Sequence, residues 1–297
     1  MAAYELISTP DWPRFCEIYN RATVYAPYTI PLDEKVISLR LAPYCKENET
    51  FCAIGLGKGE EGIIHVSKYA GELSVNGDQP PLGMIHLLMA NTNNIATWLL
   101  LQAENWCREQ GLTHIHSCGW QQNPWQYILH GSEAYIWGGM YPAVNAFHRR
   151  NFDLELDVVV MSLDLPTEPA LTQPELSDID FTDTTRLDDC FALTGEIKAL
   201  RDGKQVGVCG YQFLRAISNH IHKGLGQIYI SADSNLHGQG VGPALLTRAH
   251  HRLYQLGARR VTLVTNISLF RAIKFYEKLG YQAETIRGYW FQKELSI

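Results

Sequence analysis

The amino-acid sequence predicts an α/β (α+β) protein of two tandem domains, each a mixed, mostly antiparallel twisted sheet flanked by helices. Three observations carry this expectation. At 297 residues, with 46% hydrophobic and 19% charged residues, the chain is long enough for two packed cores and too apolar to stay disordered. Between Leu163 and Asp178 it carries Pro166, Pro169 and Pro174 among polar residues, a density that stops helix and sheet alike. On either side of that segment the same succession of apolar runs and periodic stretches occurs. The expected division is therefore residues 1–165 and 174–297.

In the first half, residues 4–7 read as a strand. Thr9 or Asp11 can cap a helix running to about Thr23, with Pro10 and Pro13 near its start. A second helix is expected at 33–45. Residues 50–56 and 62–68 read as a hairpin, with Gly55, Gly57, Gly59 and Gly62 as a flexible tip rather than a nucleotide loop. A strand at 83–90 leads to a helix at 95–110, which Gly111 is placed to end, and residues 114–118 alternate like a strand.

The second half starts with a short helix at 185–193 and a strand at 196–200. Asp202-Gly203 is a hairpin turn and 205–213 the return strand. A strand at 226–232, a glycine loop at 237–242 and a helix at 243–256 follow, the helix closed by Gly257. A strand at 261–265, a helix at 270–279 and two short strands finish the chain.

The halves can be laid over one another. Pairing Gly257 with Gly111 also pairs Leu245-Leu246 with Leu99-Leu100, and the run AIKFYEKLGY from Ala272 matches AVNAFHRRNF from Ala143. An insertion between Gly119 and Pro142 restores the spacing. This reads as a diverged internal duplication.

The stretch that carries chemistry is IYISADSNLHGQGVGPALL, from Ile228 to Leu246. A strand runs into a loop with Gly238, Gly240 and Gly242, and then directly into a helix. Glycine lets the backbone turn sharply and come close to a ligand. Free amides of the loop and first helical turn converge on one spot, where the helix dipole adds positive potential, an arrangement that binds a pyrophosphate without a lysine. The loop lacks the ending of a P-loop and the spacing of a dinucleotide fingerprint.

In this context the loop resembles that of the GNAT acyltransferase superfamily, whose coenzyme A motif reads [QR]-x-x-G-x-[GA]. His237, Gly240 and Gly242 are the matching residues. A second signature, FRAIKFYEKLGY from Phe270 to Tyr281, follows at that family's spacing, and the two motifs lie within about 120 residues of matching element order. The resemblance implies two tandem GNAT-like domains, with 174–297 binding acyl-CoA, most simply acetyl-CoA as co-substrate. It places Ile230, Ser231, Ala232, His237, Gly238, Gln239, Gly240, Val241 and Gly242 at the coenzyme, and makes Tyr276 the general acid for the departing thiolate. Two positions depart from the pattern: His237 stands where Arg or Gln is usual, and Leu269 where an Asn is common.

The implied activity is transfer of an acetyl group to an amine, a small molecule rather than a protein. The alternative is a non-catalytic acyl-CoA-binding module whose N-terminal domain contacts a protein partner. No general base is marked. Asp233, His220 and His222 are nearby in sequence and read as solvated loop residues. In the register of the duplication Asn94, Ala96 and Phe147 fall opposite Gly240, Gly242 and Tyr276. The first copy is thus expected to have lost coenzyme binding and to serve the acceptor side or the structure. Trp120, Trp125, Tyr127, Tyr135, Trp137 and Tyr141, in or beside the insertion, could line a cleft, form an interface or pack a core.

The remaining features exclude more than they assign. A formal charge of −6 and a pI near 6.0 give no electrostatic reason to expect nucleic acid. Glu5 and Asp11 stand where a signal peptide would be basic, and the apolar stretch at 95–101 is too short to span a bilayer. The seven cysteines, Cys16, Cys45, Cys52, Cys107, Cys118, Cys190 and Cys209, show no C-x-x-C and read as reduced thiols of a cytoplasmic protein. The pairs His114/His116, His220/His222 and His250/His251 offer two ligands each, so no metal is expected. A monomer or homodimer suits the whole.

Overall fold

The computed structural model describes residues 4–7, 11–24, 29, 31–34, 49–69, 81–117, 136–171, 176–187, 192–214 and 224–296. It is a mixed α/β protein of two compact units, Met1–Val158 with Ile286–Ile297, and Val159–Thr285. The division differs from the one expected at the proline segment. It falls inside a strand, and the last residues of the chain belong with the first unit.

In the first unit β1 (Glu5–Ile7), β2 (Thr50–Leu56), β3 (Glu61–Tyr69) and β4 (Leu82–Ala90) pair antiparallel in sequence order. Between β1 and β2, α1 (Trp12–Thr23) begins at Asp11, whose carboxylate accepts from the Arg14 amide at 3.1 Å, with Pro13 in the first turn. Its apolar residues Phe15, Ile18 and Tyr19 recur at helical spacing and pack on Cys52, Ile54, Ile63 and Leu87. Beyond residue 34, the helix expected at 33–45 lies outside the described residues.

After β4, α2 (Asn93–Glu109) crosses to β5 (His114–Ser117), which runs parallel to β4. Gly111, at φ +70°, ends that helix. The helix lies on the face opposite α1, and it explains two glycines read as hairpin tip. A Cβ on Gly55 would stand 3.0 Å from Trp98, and one on Gly62 would stand 2.8 Å from Leu99. Only Gly57 and Gly59 belong to the turn. Gly83 is needed beneath the same helix, 2.4 Å from the Cys107 sulfur by the same measure. β6 (Ile136–Trp137), α3 (Tyr141–Arg149) and β7 (Asp153–Asp164) follow.

The second unit repeats this plan. β8 (Asp180–Leu187), β9 (Ala192–Arg201), β10 (Lys204–Leu214) and β11 (Leu225–Ala232) pair antiparallel, and α4 (Val241–Gln255) crosses to β12 (Arg260–Asn266), parallel to β11. α5 (Phe270–Lys278) then leads to β13 (Gln282–Glu294). Leu245, Leu246, Ala249 and Leu253 of α4 close the core over Ile197, Cys209, Tyr211 and Ile228. Each of these leucines and isoleucines contributes about 1.5–3 kcal/mol by leaving water. The hairpin at Asp202-Gly203 has φ of +51° and +74°, the geometry of a two-residue type I′ turn.

Two expected elements are replaced. The helix expected at 185–193 is strand on both sides of residues 188–191: Thr184 and Thr185 continue β8, where β-branched side chains are favoured, and Ala192 begins β9. The two final short strands are a single one, β13, thirteen residues long.

That length has a consequence, because β7 and β13 both cross the division. Val159 and Met161 of β7 lie in the core of the second unit, where the strand neighbours β12. Ile286–Glu294 of β13 lies in the first unit, with Gln292 opposite His116 and Glu294 opposite His114. Each unit therefore contains one strand segment that follows the helices of the other.

Candidate functional site

The site of the second unit begins where two parallel strands part. β11 and β12 are paired only from Leu225↔Arg260 to Gln227↔Thr262. β11 continues along β10 to Ala232, and β12 continues to Asn266. Past Gln227 the β12 side of β11 is unpaired, so main-chain groups of residues 228–232, including Ile230, Ser231 and Ala232, face a gap between strands. Buried apolar residues on both strands (Ile228, Val261, Leu263) hold the root of the gap closed.

At the end of β11, Asp233 caps a single 3₁₀ turn (Ser234–Leu236), its carboxylate accepting from the Asn235 amide at 2.9 Å. His237 is exposed, and the chain then reverses through Gly238 at φ +82° and Gly240 at φ +86°. Both angles lie where an L side chain is disfavoured, and the space around a Cβ at Gly238 is open. Gln239 braces the turn, its amide side chain donating to the Asn235 carbonyl at 3.1 Å and accepting from Arg201 at 3.2 Å.

α4 begins at Val241 with Gly240 as its N-cap and no side chain satisfying the first turn. Among the described residues the amides of Gly238, Gly240, Val241 and Gly242 meet no protein acceptor. Pro243 has no amide to satisfy. Donors without a protein acceptor at the positive end of a helix dipole are an arrangement able to hold an anion. Gly242 has a different reason from the loop glycines: it lies inside the helix, and Phe275 of α5 fills the space where its side chain would be, 3.3 Å from a built Cβ.

That contact sets α5 beside the loop and leaves Tyr276, the next residue, facing the core. Its ring lies 5.8 Å from that of Tyr281, and burial, then the neighbouring Cys209 thiol, push its hydroxyl up to about 12. At neutral pH it keeps its proton and can donate it. Behind it, His250 of α4 and the Tyr281 hydroxyl are 2.6 Å apart and buried, and burial pulls His250 down to about 4. The sequence reading missed this pair. The only signal was a histidine on the buried stripe of α4, at Leu246 plus four.

The departures from the expected motif are both at the surface. Leu269 is exposed, and its place at the start of α5 gives no side-chain cap. The loop instead turns on Asn266, whose Oδ1 accepts from the Ser268 amide and hydroxyl at 2.8 Å each.

The equivalent turn of the first unit is built otherwise. β4 and β5 also part after three pairs, but Thr92 caps α2 and accepts from the Ile95 amide, while Ala96 is buried. Phe147 is buried and stacked on Phe291 at 4.6 Å. No group of three or more metal-ligating side chains occurs among the described residues. His250 serves Tyr281, His251 donates to the Pro169 carbonyl, and His114 meets Thr113. His220 and His222 lie outside the described residues, as do Trp120, Trp125, Tyr127 and Tyr135. No described helix is long and apolar enough to cross a membrane.

A glycine turn at the start of a helix thus stands beside two parting parallel strands, with a buried phenol on the next helix. Residues 159–281 match the model of the Acetyltransferase (GNAT) family. Solved structures extend the fold to its full length. The tandem GNAT protein from the clavulanic acid biosynthesis pathway, without AcCoA, is 11% identical and superposes at a TM-score of 0.69, covering 99% of both chains. A GCN5-related N-acetyltransferase from Sphaerobacter thermophilus is 15% identical with a TM-score of 0.62, over 99% of this chain and 96% of that one. A glucosamine N-acetyltransferase region of a fungal multi-domain β-N-acetylglucosaminidase is 14% identical with a TM-score of 0.68, over 99% of this chain and 38% of that one. No curated protein matches the sequence. Family and fold together support an acyl-transfer function.

Proposed function

We propose that the second unit binds acetyl-CoA at the loop of residues 237–242 and transfers its acetyl group to the amine of a small molecule. The observation that carries this is the set of four unsatisfied amides at Gly238, Gly240, Val241 and Gly242, next to the gap between β11 and β12. The amides and the helix dipole hold the pyrophosphate, and the gap admits the thioester arm.

The chemistry asks for little beyond placement. Holding a neutral amine against the thioester carbonyl contributes about 7–11 kcal/mol when geometry is good. A main-chain amide among Ile230, Ser231 and Ala232 polarises the carbonyl oxygen. The C–N bond forms, the C–S bond breaks, and Tyr276 gives its proton to the departing sulfur, an effect of roughly 10²–10⁴ in rate. The proton of the acylated nitrogen leaves to water, and water reprotonates the phenol.

Calorimetric titration of acetyl-CoA and of CoA into the full-length protein tests the coenzyme step. One site per chain, weakened in Gly240→Val, supports the reading, and no binding refutes it. Tyr276→Phe separates catalysis from storage. Turnover should fall with coenzyme affinity unchanged, whereas an undiminished rate removes Tyr276 from the mechanism. His237 at the head of the loop and the exposed Leu269 in place of an amide side chain are the features that favour a binding module. Tight acetyl-CoA binding without transfer to any amine would establish that second reading.

A further inference from the structure

The glycine loop of the second unit is short of charge. Amides and a helix end supply only partial charge, about half an elementary charge for the helix, whereas a pyrophosphate carries full negative charges. Residues 233–247, from the end of β11 through the first turns of α4, include neither lysine nor arginine. A full positive charge has to come from another element.

The hairpin of β9 and β10 provides one. A Cβ on Gly207 would meet Leu245 of α4 at 3.0 Å, so Gly207 and its partner Ala199 look toward that helix. Two residues on from Ala199, Arg201 lies on the same face, directly opposite Lys204. Arg201 ends β9 and reaches the loop, its Nη2 donating to Gln239 Oε1 at 3.2 Å. Gln239 stands between Gly238 and Gly240, whose amides meet no protein acceptor among the described residues. Main chain also ties hairpin to loop, since the Asp233 amide donates to the Val206 carbonyl at 2.9 Å. The Arg201 guanidinium lies 2.8 Å from Asp178, yet its side chain is 31% exposed and that of Asp178 59%.

Folding gives no reason for this charge. Like charges directly opposite one another, as Arg201 and Lys204 are, destabilise a hairpin. Asp202, between them in the turn, forms no ion pair with either among the described residues. The corresponding hairpin of the first unit does the reverse. There Glu60, between β2 and β3, accepts from Thr92, the N-cap of α2, at 2.7 Å and from Tyr4 at 2.5 Å. The first unit thus brings its own carboxylate to the helix start, and the second brings a cation.

We infer that Arg201 is a coenzyme-binding residue that pairs with the pyrophosphate of acetyl-CoA, with Lys204 adding to the local positive potential. This inference rests on the acetyl-CoA site proposed above. The loop amides supply hydrogen bonds, and Arg201 supplies the charge they lack, in a pairing stronger than a neutral hydrogen bond. Gln239 holds the guanidinium at the loop, and Asp178 competes with the pyrophosphate for it.

The test is calorimetric titration of acetyl-CoA into the full-length protein and its variants, with near-UV circular dichroism as the check on folding. Arg201→Met should weaken binding about tenfold or more, and Arg201→Lys, which keeps the charge, should recover most of the loss. Raised salt should weaken binding to the unaltered protein more than to Arg201→Met. The same loss should appear with 3′-dephospho-CoA, which retains the pyrophosphate. Asp178→Asn should tighten binding about two- to fivefold by releasing the guanidinium from its competitor. A mere brace between hairpin and loop would loosen in that variant, so its sign decides the matter even if the arginine variants fold poorly. Unchanged affinity in Arg201→Met, no tightening in Asp178→Asn, or a loss that vanishes with 3′-dephospho-CoA would each overturn the inference. Failure of the unaltered protein to bind acetyl-CoA would instead refute the reading on which it rests.

Discussion

The ammonium of Lys293, on the last strand of the chain, stands 3.2 Å from the fully buried carboxylate of Glu104 in α2. Arg150 donates to both oxygens of the same carboxylate at 2.8 Å, Arg108 reaches it at 3.2 Å, and Lys293 also donates to the Arg150 carbonyl at 2.6 Å. One acid thus gathers α2, the end of α3 and β13 inside the first unit. A buried carboxylate is tolerated only when its lone pairs are met, and here three cations meet them.

Glu104→Ala should lower stability by about 3–5 kcal/mol, because it leaves buried positive charge without its partner. Chemical denaturation followed by tryptophan fluorescence would measure this. Burial raises the pKa of Glu104, but hydrogen bonds from Arg150 and Lys293 outweigh it and hold the carboxyl below its ordinary 4.5. A depressed folded-state value means that the stabilisation is complete above about 4.5 and is lost as pH falls through the lower value. Glu104→Gln should therefore flatten the acid limb of the stability profile.

Neither half of the chain should fold by itself. A chain ending at Thr285 loses Phe291, which is buried against Phe147, and the hydrogen bond from the Phe291 amide to Ser117 at 2.7 Å. A chain starting at residue 166 loses Val159, Met161 and Leu165 from the second core. Both truncations should give insoluble or molten protein, as read by near-UV circular dichroism and dye binding, and a cooperative thermal transition in either would refute this.

His250 should make the second unit acid-sensitive from about pH 6.5 downward. Its folded value, pulled by burial from 6.5 to about 4, is depressed, so the unfolded chain binds the extra proton first. Stability is complete above about 6.5 and declines as pH falls toward 4, by up to about 3 kcal/mol. His250→Gln should lose baseline stability but show a flatter profile across that window.

Gly240→Val and Gly203→Val place the same side chain at φ of +86° and +74°. Each should cost about 1–2 kcal/mol of backbone strain. Only the first should weaken acetyl-CoA binding, since Gly203 lies in the β9–β10 turn. Equal binding by both variants, measured by calorimetry, would show that the loop is not the coenzyme site.

Much of this was legible in the sequence because it depends on near neighbours. Gly111 and Gly257 end α2 and α4, Asp202-Gly203 turns a hairpin, and the loop from His237 to Gly242 announces itself between an apolar run and a helical stripe. Local reading failed at Thr185, where a short polar stretch carries no period and its pairing with β9 decided for strand. It failed again at Gly55 and Gly62, whose glycine is demanded by Trp98 and Leu99 from a helix some forty residues away.

The sequence by itself determined the doubled element order, the family-like glycine loop and the candidate phenol, since each is written in contiguous residues whose conformations follow from sterics and periodicity. The tertiary structure alone decided which strand completes which core. β7 and β13 are each long enough to serve both units, and a strand's partner is settled by hydrogen bonds and burial across the chain. It also decided that Tyr276 is buried beside Cys209, that Glu104 answers to Lys293, and that Arg201 reaches Gln239. Those relationships join residues that only a sheet brings into register.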